Sequence, residues 1–355
     1  MELKKLIIDF ASLMSISGHE SYDAEKLISL IGNEFDETFA DPVGNRFFVK
    51  KCGKENAPKI LIDAHMDEIG MMVTDIKDGG FLTVTGVGGV DTRILQAGDV
   101  VIYGKEKIFG VVGSTPPHLQ KPEDSKKLRA IGELLIDTGY SKEKLSELVR
   151  IGTPVGFAPK YAEFANGQLA GKGFDDKACA ACAAEGIARA DRNELAGDVY
   201  LMLSSREETG LVGGAATGSF GIYPDYALVI DVNLGRTPDT PANETVKMGD
   251  GVSLTFCPVT DRALTKMTAA LADSNGIKWQ ASVSGSGTGT NTPDINLTKA
   301  GIPCVDVGLP LKSMHTCVEV LDLADAEAAA ELIKLFVCSN EIAAEFTAKG
   351  DAYSD

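Results

Sequence analysis

The chain is expected to fold as an α/β protein: a three-layer domain on a mostly parallel or mixed sheet, interrupted by a small β-rich insertion. Three observations predict this. After residue 177, strand-length apolar runs alternate with helix-length periodic segments. From roughly 71 to 165 the texture changes to short Val/Gly-rich segments separated by turn signals. The length of 355 residues is long for one compact domain.

Taken in order, LKKLIIDFASLM and YDAEKLISLIGNEF carry helical periodicity, with Gly18 as punctuation in the SISGHE between them. NRFFVKKC and KILIDAH read as strands, the second as a nearly continuous apolar run buried on both faces of a sheet. FLTVTGVGG, DVVIYGK and KIFGVVGS supply the β-rich segment, and KPEDSKKLRAIGELLIDTGYSKEKLSEL within it is charged and partly helical. After GQLAGKGFDDK the alternation resumes with a helix over 177–193, a strand over 198–205 and a helix near 211–218. Strands over 227–232 and 252–257, a helix over 260–275 and strands over 278–284 and 303–308 follow, then one long helix near 322–346. This order places residues 1–70 and 166–355 in one discontinuous domain, with 71–165 as the insertion. The tail GDAYSD is expected to fray.

With 34 basic against 51 acidic residues, the net charge of −17 argues against nucleic acid or an anionic membrane as partner. No run of about 18 apolar residues is present, and MELKKLIIDFASLM lacks a long apolar core with a cleavage site, so a cytoplasmic location is expected. Seven scattered cysteines fit reduced thiols. Cys179 and Cys182 form a CxxC within the Ala-rich DKACAACAAEGIARA, where an i,i+3 pair on one buried helix face is the expected arrangement.

The ends of the predicted strands carry the chemistry. KILIDAHMD closes with His65 and Asp67, DVYLMLSS runs into Glu207 and Glu208, YALVIDVN contains Asp231, and His315 follows CVDVGL. Asp175 and Asp176 open the helix after the insertion. Each has an ordinary explanation as a cap or turn residue. Together they converge, because residues past the carboxyl ends of strands in an α/β sheet meet at one crevice. A mixed imidazole and carboxylate set suits zinc, cobalt or manganese, and one bridging carboxylate would make the site binuclear. Adjacent glutamates point in different directions, so one can bind metal while its neighbour acts as general base on a water.

SGHE, DAHMDEIG, GDVV, PPHLQ, GKGFDDK, EETGLVGG, VIDV and SMHTCVEVLDL, in this order over nearly the whole chain, resemble the glutamyl-aminopeptidase-like, cellulase-M-like metallopeptidases. That family is cytoplasmic and assembles into tetrahedral dodecamers built from dimers, with its β-rich insertion serving dimer formation. The resemblance implies that His65, Asp175 and Asp231 bind one metal and that Asp175, Glu208 and His315 bind the second, with Asp175 bridging. It implies that Asp67 orients His65, that Glu207 is the general base, and that the 175–176 peptide is cis. A water shared by the metals would attack the carbonyl beside a free α-amino group of a peptide. Four positions depart from the family pattern: Asn291 stands where aspartate is common, Thr316 and Cys317 follow His315 in place of Ser-Pro, and Lys177 replaces an arginine. His118 is assigned to a loop or subunit contact and His19 to a helix start. The alternatives are a related carboxypeptidase or deacylase, a silent scaffold, and the glucanase described for some members. A carboxypeptidase would aim Arg206, Arg93, Arg236 or Lys312 at the site. Glucanases of the usual kind need no metal, against which the paired histidines argue.

Overall fold

The computed structural model describes residues 2–119, 128–210 and 213–347. A mixed α/β body is built on a large sheet, and a separate small closed antiparallel barrel stands beside it. Four strands at the centre of the sheet run parallel, in the order Asp198–Ser204, Lys59–His65, Tyr226–Leu234 and Cys304–Lys312. Lys59–His65 occupies the span read from its apolar run. Ile60, Ile62 and Ala64 pack into the larger core, while Leu61 packs into a second core on the opposite face. Helices Leu3–Ala11, Phe174–Arg189 and Leu323–Cys338 cover the first face. Helices Gly214–Ile222 and Thr292–Asn296 cover the other, completing the three layers.

Phe174–Arg189 lies against all four parallel strands and is buried along almost its whole length, which its alanines permit by allowing close approach. Cys179 and Cys182 are fully buried within it as free thiols. Lys50 donates to the carbonyls of Ile187, Ala188 and Ala190, satisfying the end of that helix.

The barrel closes in the strand order Gly70–Ile76, Phe81–Val87, Ile136–Asp137, Lys107–Val112, Asp99–Tyr103, Pro154–Phe157 around its own apolar core. It carries the short helix Lys142–Leu148, capped by Ser141. After Phe157 the chain returns to the large sheet, where Ala162–Glu163 pairs with Gln168–Gly171.

The structure departs from the sequence reading in three places. The helix expected near 322–346 is two helices, Leu323–Cys338 and Asn340–Thr347, because Ser339 is extended at φ −78°, ψ 97°. Strands Gln168–Gly171 and Glu319–Asp322 were not foreseen; they pair with each other across some 150 residues of sequence. His19 lies in a turn before helix Ala24–Ile31 rather than at its start. Part of KPEDSKKLRAIGELLIDTGYSKEKLSEL, Leu211 and Val212 of EETGLVGG, and the tail GDAYSD lie outside the described residues.

Candidate metal centre

The carboxyl ends of the parallel strands open into a cleft of about 450 Å³. His65, Asp175, Glu207, Glu208, Asp231 and His315 all line it. Asp175 lies between the two imidazoles: its Oδ1 is 3.1 Å from His65 Nε2, and its Oδ2 is 3.4 Å from His315 Nε2. Glu208 Oε2 is 3.1 Å from His315 Nε2, and Asp231 Oδ1 is 3.8 Å from His65 Nε2. Glu207 Oε2 stands slightly apart, 3.9 Å from His65 Nε2.

The backbone of the double-glutamate turn is fixed by side chains from elsewhere. Four successive N–H groups donate to them: Ser205 to Asn45 Oδ1 at 3.0 Å, Arg206 to Glu20 Oε1 at 3.1 Å, Glu207 to Asp67 Oδ1 at 3.0 Å and Glu208 to Asp67 Oδ2 at 3.1 Å. Arg206 takes a left-handed conformation at φ 64°, turning the chain so that both glutamate side chains enter the cleft. Asp67 thus spends its carboxylate on this turn. His65 Nδ1 instead meets the Asp67 carbonyl oxygen at 2.9 Å, with the carboxylate 3.5 Å away. A carbonyl only accepts, so Nδ1 carries a proton and Nε2 is the ring atom turned toward the cluster, available to a metal once it sheds its own proton.

Sequence reasoning missed Glu319. Its Oε2 accepts from the N–H groups of Phe174 and Asp175 at 2.6 and 3.2 Å, and its Oε1 accepts from His315 N–H at 3.2 Å. One buried carboxylate therefore ties the Asp175 turn to the His315 turn. The available signal was an acid inside the otherwise apolar CVEVLDL. Replacing Glu319 by Gln is expected to weaken metal binding by about 10–100-fold, the usual effect of removing a group that orients ligands. A chelator-buffered metal titration measures it.

The Asp175–Asp176 peptide is cis. Asp176 is also within reach of His65 and Asp231. Its Oδ2, however, accepts from His65 N–H at 3.1 Å, and it lies behind Asp175 rather than on the cleft wall. Of the departures from the family pattern, Asn291 is buried, donating to Asp63 Oδ2 at 3.0 Å and Ser204 Oγ at 2.9 Å. Lys177 is fully buried against Glu68, away from the cleft, and Cys317 packs on the barrel core.

The donor set fits divalent cations. Glu208 Oε1 is buried with no hydrogen-bond partner among the described residues, and two groups of potential ligands share His65. Burial pushes Glu208 up to about 7 and holds Asp231 and Asp176 well above the usual carboxylate range. Burial acts to lower His65, but its hydrogen bonds to Asp175 and Asp67 outweigh this and raise it; hydrogen bonds to Asp175 and Glu208 raise His315 to about 10. Burial works against ionisation of Asp175, yet its bonds to His315 and His65 bring it down to about 2. Carboxylates and imidazoles raised on folding both bind protons more tightly in the folded state. Between pH 5 and pH 9 every such shift makes the metal-free protein less stable as pH rises, the Asp175 window lying below this range. Added divalent metal is therefore expected to raise the melting temperature more at pH 8 than at pH 6, read by scanning fluorimetry after chelation.

A parallel-stranded α/β body that gathers two imidazoles and four carboxylates at its strand ends belongs to the class of metal-dependent hydrolases. Residues 44–332 match the family model of the M42 glutamyl aminopeptidases, and the chain belongs to that family. The protein is accordingly a peptidase. It is 30% identical to the lysyl aminopeptidase of Pyrococcus furiosus over 338 residues, 94% of this chain and 95% of that protein. Among solved structures, it superposes with a TM-score of 0.88 on an aminopeptidase of the archaeon Desulfurococcus kamchatkensis, at 30% identity over 97% of each chain. The TET1 peptidase of Pyrococcus horikoshii, which can assemble into a tetrahedron or a large octahedral shell, gives a TM-score of 0.83 at 31% identity over 95% of this chain and 99% of that one.

Proposed function

We propose that the protein releases N-terminal residues from peptides at a centre of two divalent metals. The observation that carries this reading is the position of Asp175, one oxygen toward His65 and the other toward His315, with Glu207 3.9 Å from His65 and not inserted between ligands. His65, Asp175 and Asp231 would hold one metal, and Asp175, Glu208 and His315 would hold the other. Zinc or cobalt suits this donor set best, and manganese is also compatible. When bound, the metals would supply Lewis acidity that polarises the scissile carbonyl and acidifies the attacking water.

Glu207 is the general base. Burial holds its carboxylate above the usual range, which suits a group that must take a proton and then give it up near neutral pH. It accepts the proton of the attacking water and passes it to the departing amine. Asp67 acts as a positioning residue through the backbone of both glutamates.

No lysine or arginine is among the described residues lining the cleft. Arg93 is paired with Asp91 and Arg236 with the 242–245 segment, so neither offers the cation a carboxypeptidase would need. Residues 1–70 and 166–355 form the catalytic unit, and the 71–165 insertion serves dimerisation, with dimers assembling toward a dodecamer in the cytoplasm. The test is hydrolysis of free and N-acetylated aminoacyl and peptide substrates after chelation and after adding back cobalt or zinc. Metal-dependent release that is lost on acetylation is the expected result. Cleavage confined to acetylated or C-terminal substrates would overturn the reading.

A further inference from the structure

The cleft extends from the metal centre along the sheet, where Asn233, Thr255, Ser282, Asp306 and Gly308 line it. Asp231 pairs across the strands with Gly308, where a Cβ would overlap Ser253 Oγ and Asn233 Cβ. That volume is already filled by Ser253 and Asn233, so the floor beside Asp231 is the Gly308 backbone with the Asn233 side chain against it. One residue pair further in, Asp306, Thr255 and Ser282 stand side by side on the same face, set by the registers of three neighbouring strands. Thr290, from the late glycine-rich turn, forms part of the roof.

Asp306 is 3% exposed, and its Oδ2 accepts from the hydroxyls of Thr290 and Thr292 at 2.7 and 2.8 Å. Its Oδ1 accepts no hydrogen bond among the described residues. Beyond the six residues of the metal centre, Asp306 is the sole charged group among the described residues lining the cleft. Two strand residues separate its level from that of Asp231, roughly 7 Å at a rise of about 3.3 Å per residue. This is the reach of a lysine's four-carbon stem.

We infer that Asp306 selects the side chain of the substrate's N-terminal residue, favouring lysine and arginine and disfavouring glutamate. The inference rests on the aminopeptidase reading. The apolar stem runs along the sheet past Gly308 between Thr255 and Thr290, and the ammonium or guanidinium meets Asp306 Oδ1, a charge-assisted bond to a largely buried carboxylate. A glutamate side chain would place a second carboxylate against the first with no cation to receive it.

The experiment compares kcat/KM of the metal-loaded wild type for lysyl, norleucyl, leucyl and glutamyl amides, with Asp306→Asn alongside. Norleucine keeps the four-carbon stem and lacks the charge. Lysine is expected to exceed norleucine by at least about tenfold in the wild type, a difference of ~1.4 kcal/mol. The lysine-to-norleucine ratio is expected to collapse toward unity in Asp306→Asn, with glutamate gaining relative to both. Norleucine equal to or better than lysine in the wild type would overturn the inference even if the variant failed to fold, as would an unchanged ratio in a folded variant. Failure of the aminopeptidase reading would look different, since no amide in the set would then be cleaved.

Discussion

Replacing Glu207 by Gln is expected to lower kcat for peptide release by about 10²–10⁴-fold, the usual range for losing a positioned general base, while leaving two metals bound. The amide keeps the side chain's size, and the backbone bond from Glu207 N–H to Asp67 is untouched. Glu208→Gln should behave differently. Glu208 Oε2 faces His315 Nε2 at 3.1 Å and its Oε1 has no hydrogen-bond partner among the described residues, so its loss should appear first as reduced metal content. Elemental analysis of the purified variants beside single-turnover kinetics separates the two cases. A Glu207→Gln enzyme with near wild-type kcat would remove Glu207 from the mechanism, and one that lost metal would make it a ligand.

Glu68→Gln is expected to cost about 3–5 kcal/mol of stability, as breaking a buried ion cluster by deleting one partner does. Glu68 sits 2.8 and 2.7 Å from Lys172 Nζ and 2.8 Å from Lys177 Nζ, with all three side chains buried. Lys177 Nζ also donates to the Leu13 carbonyl at 2.7 Å, which fastens the end of the first helix to the turn entering the Phe174–Arg189 helix. Burial opposes ionisation of Glu68, but the two ammonium groups outweigh it and hold the carboxylate below its ordinary range. Burial and the neighbouring Lys172 bring Lys177 down to about 7 even with Glu68 present. Removing the anion leaves Lys172 and Lys177 buried without a counter-charge, so that one must shed its proton, whereas Lys177→Met leaves one matched pair. The expected order of melting temperatures is wild type, then Lys177→Met, then Glu68→Gln, measured in the metal-loaded state. The reverse order of the two variants would show that the Leu13 contact matters more than the charge balance.

The legible parts of this fold share a physical reason. Lys59–His65 and Asp198–Ser204 are buried on both faces, so a continuous apolar run marks them, and their ends mark the crevice. Gln168–Gly171 and Glu319–Asp322 are four residues each and exist because they pair with one another, a fact no local window contains. Glu37–Ala40 is an exposed edge strand whose only order comes from pairing with Arg46–Lys50. The same division holds at the site. Imidazoles and carboxylates at strand ends announce themselves by residue type. Glu20, Asn45 and Glu319 act by receiving backbone N–H groups from distant turns, and nothing in their own neighbourhoods distinguishes them from caps. Asp306 was hidden for a related reason: the motif CVDVGL reads as strand, and only the cross-strand register sets its carboxylate beside Thr255 under Thr290.

The turn that presents the two glutamates is held by Glu20 from the start of the chain and Asp67 from the end of a central strand, while Glu319 near the other terminus secures Asp175 and His315. During synthesis these anchors leave the ribosome at widely separated times. The cleft is thus incomplete until residues 315–319 have emerged and the chain has closed back upon Glu20 and Asp67. A nascent or C-terminally truncated chain would lack His315 and Glu319 and could not hydrolyse peptides, so the topology itself delays the appearance of proteolytic activity until folding is finished.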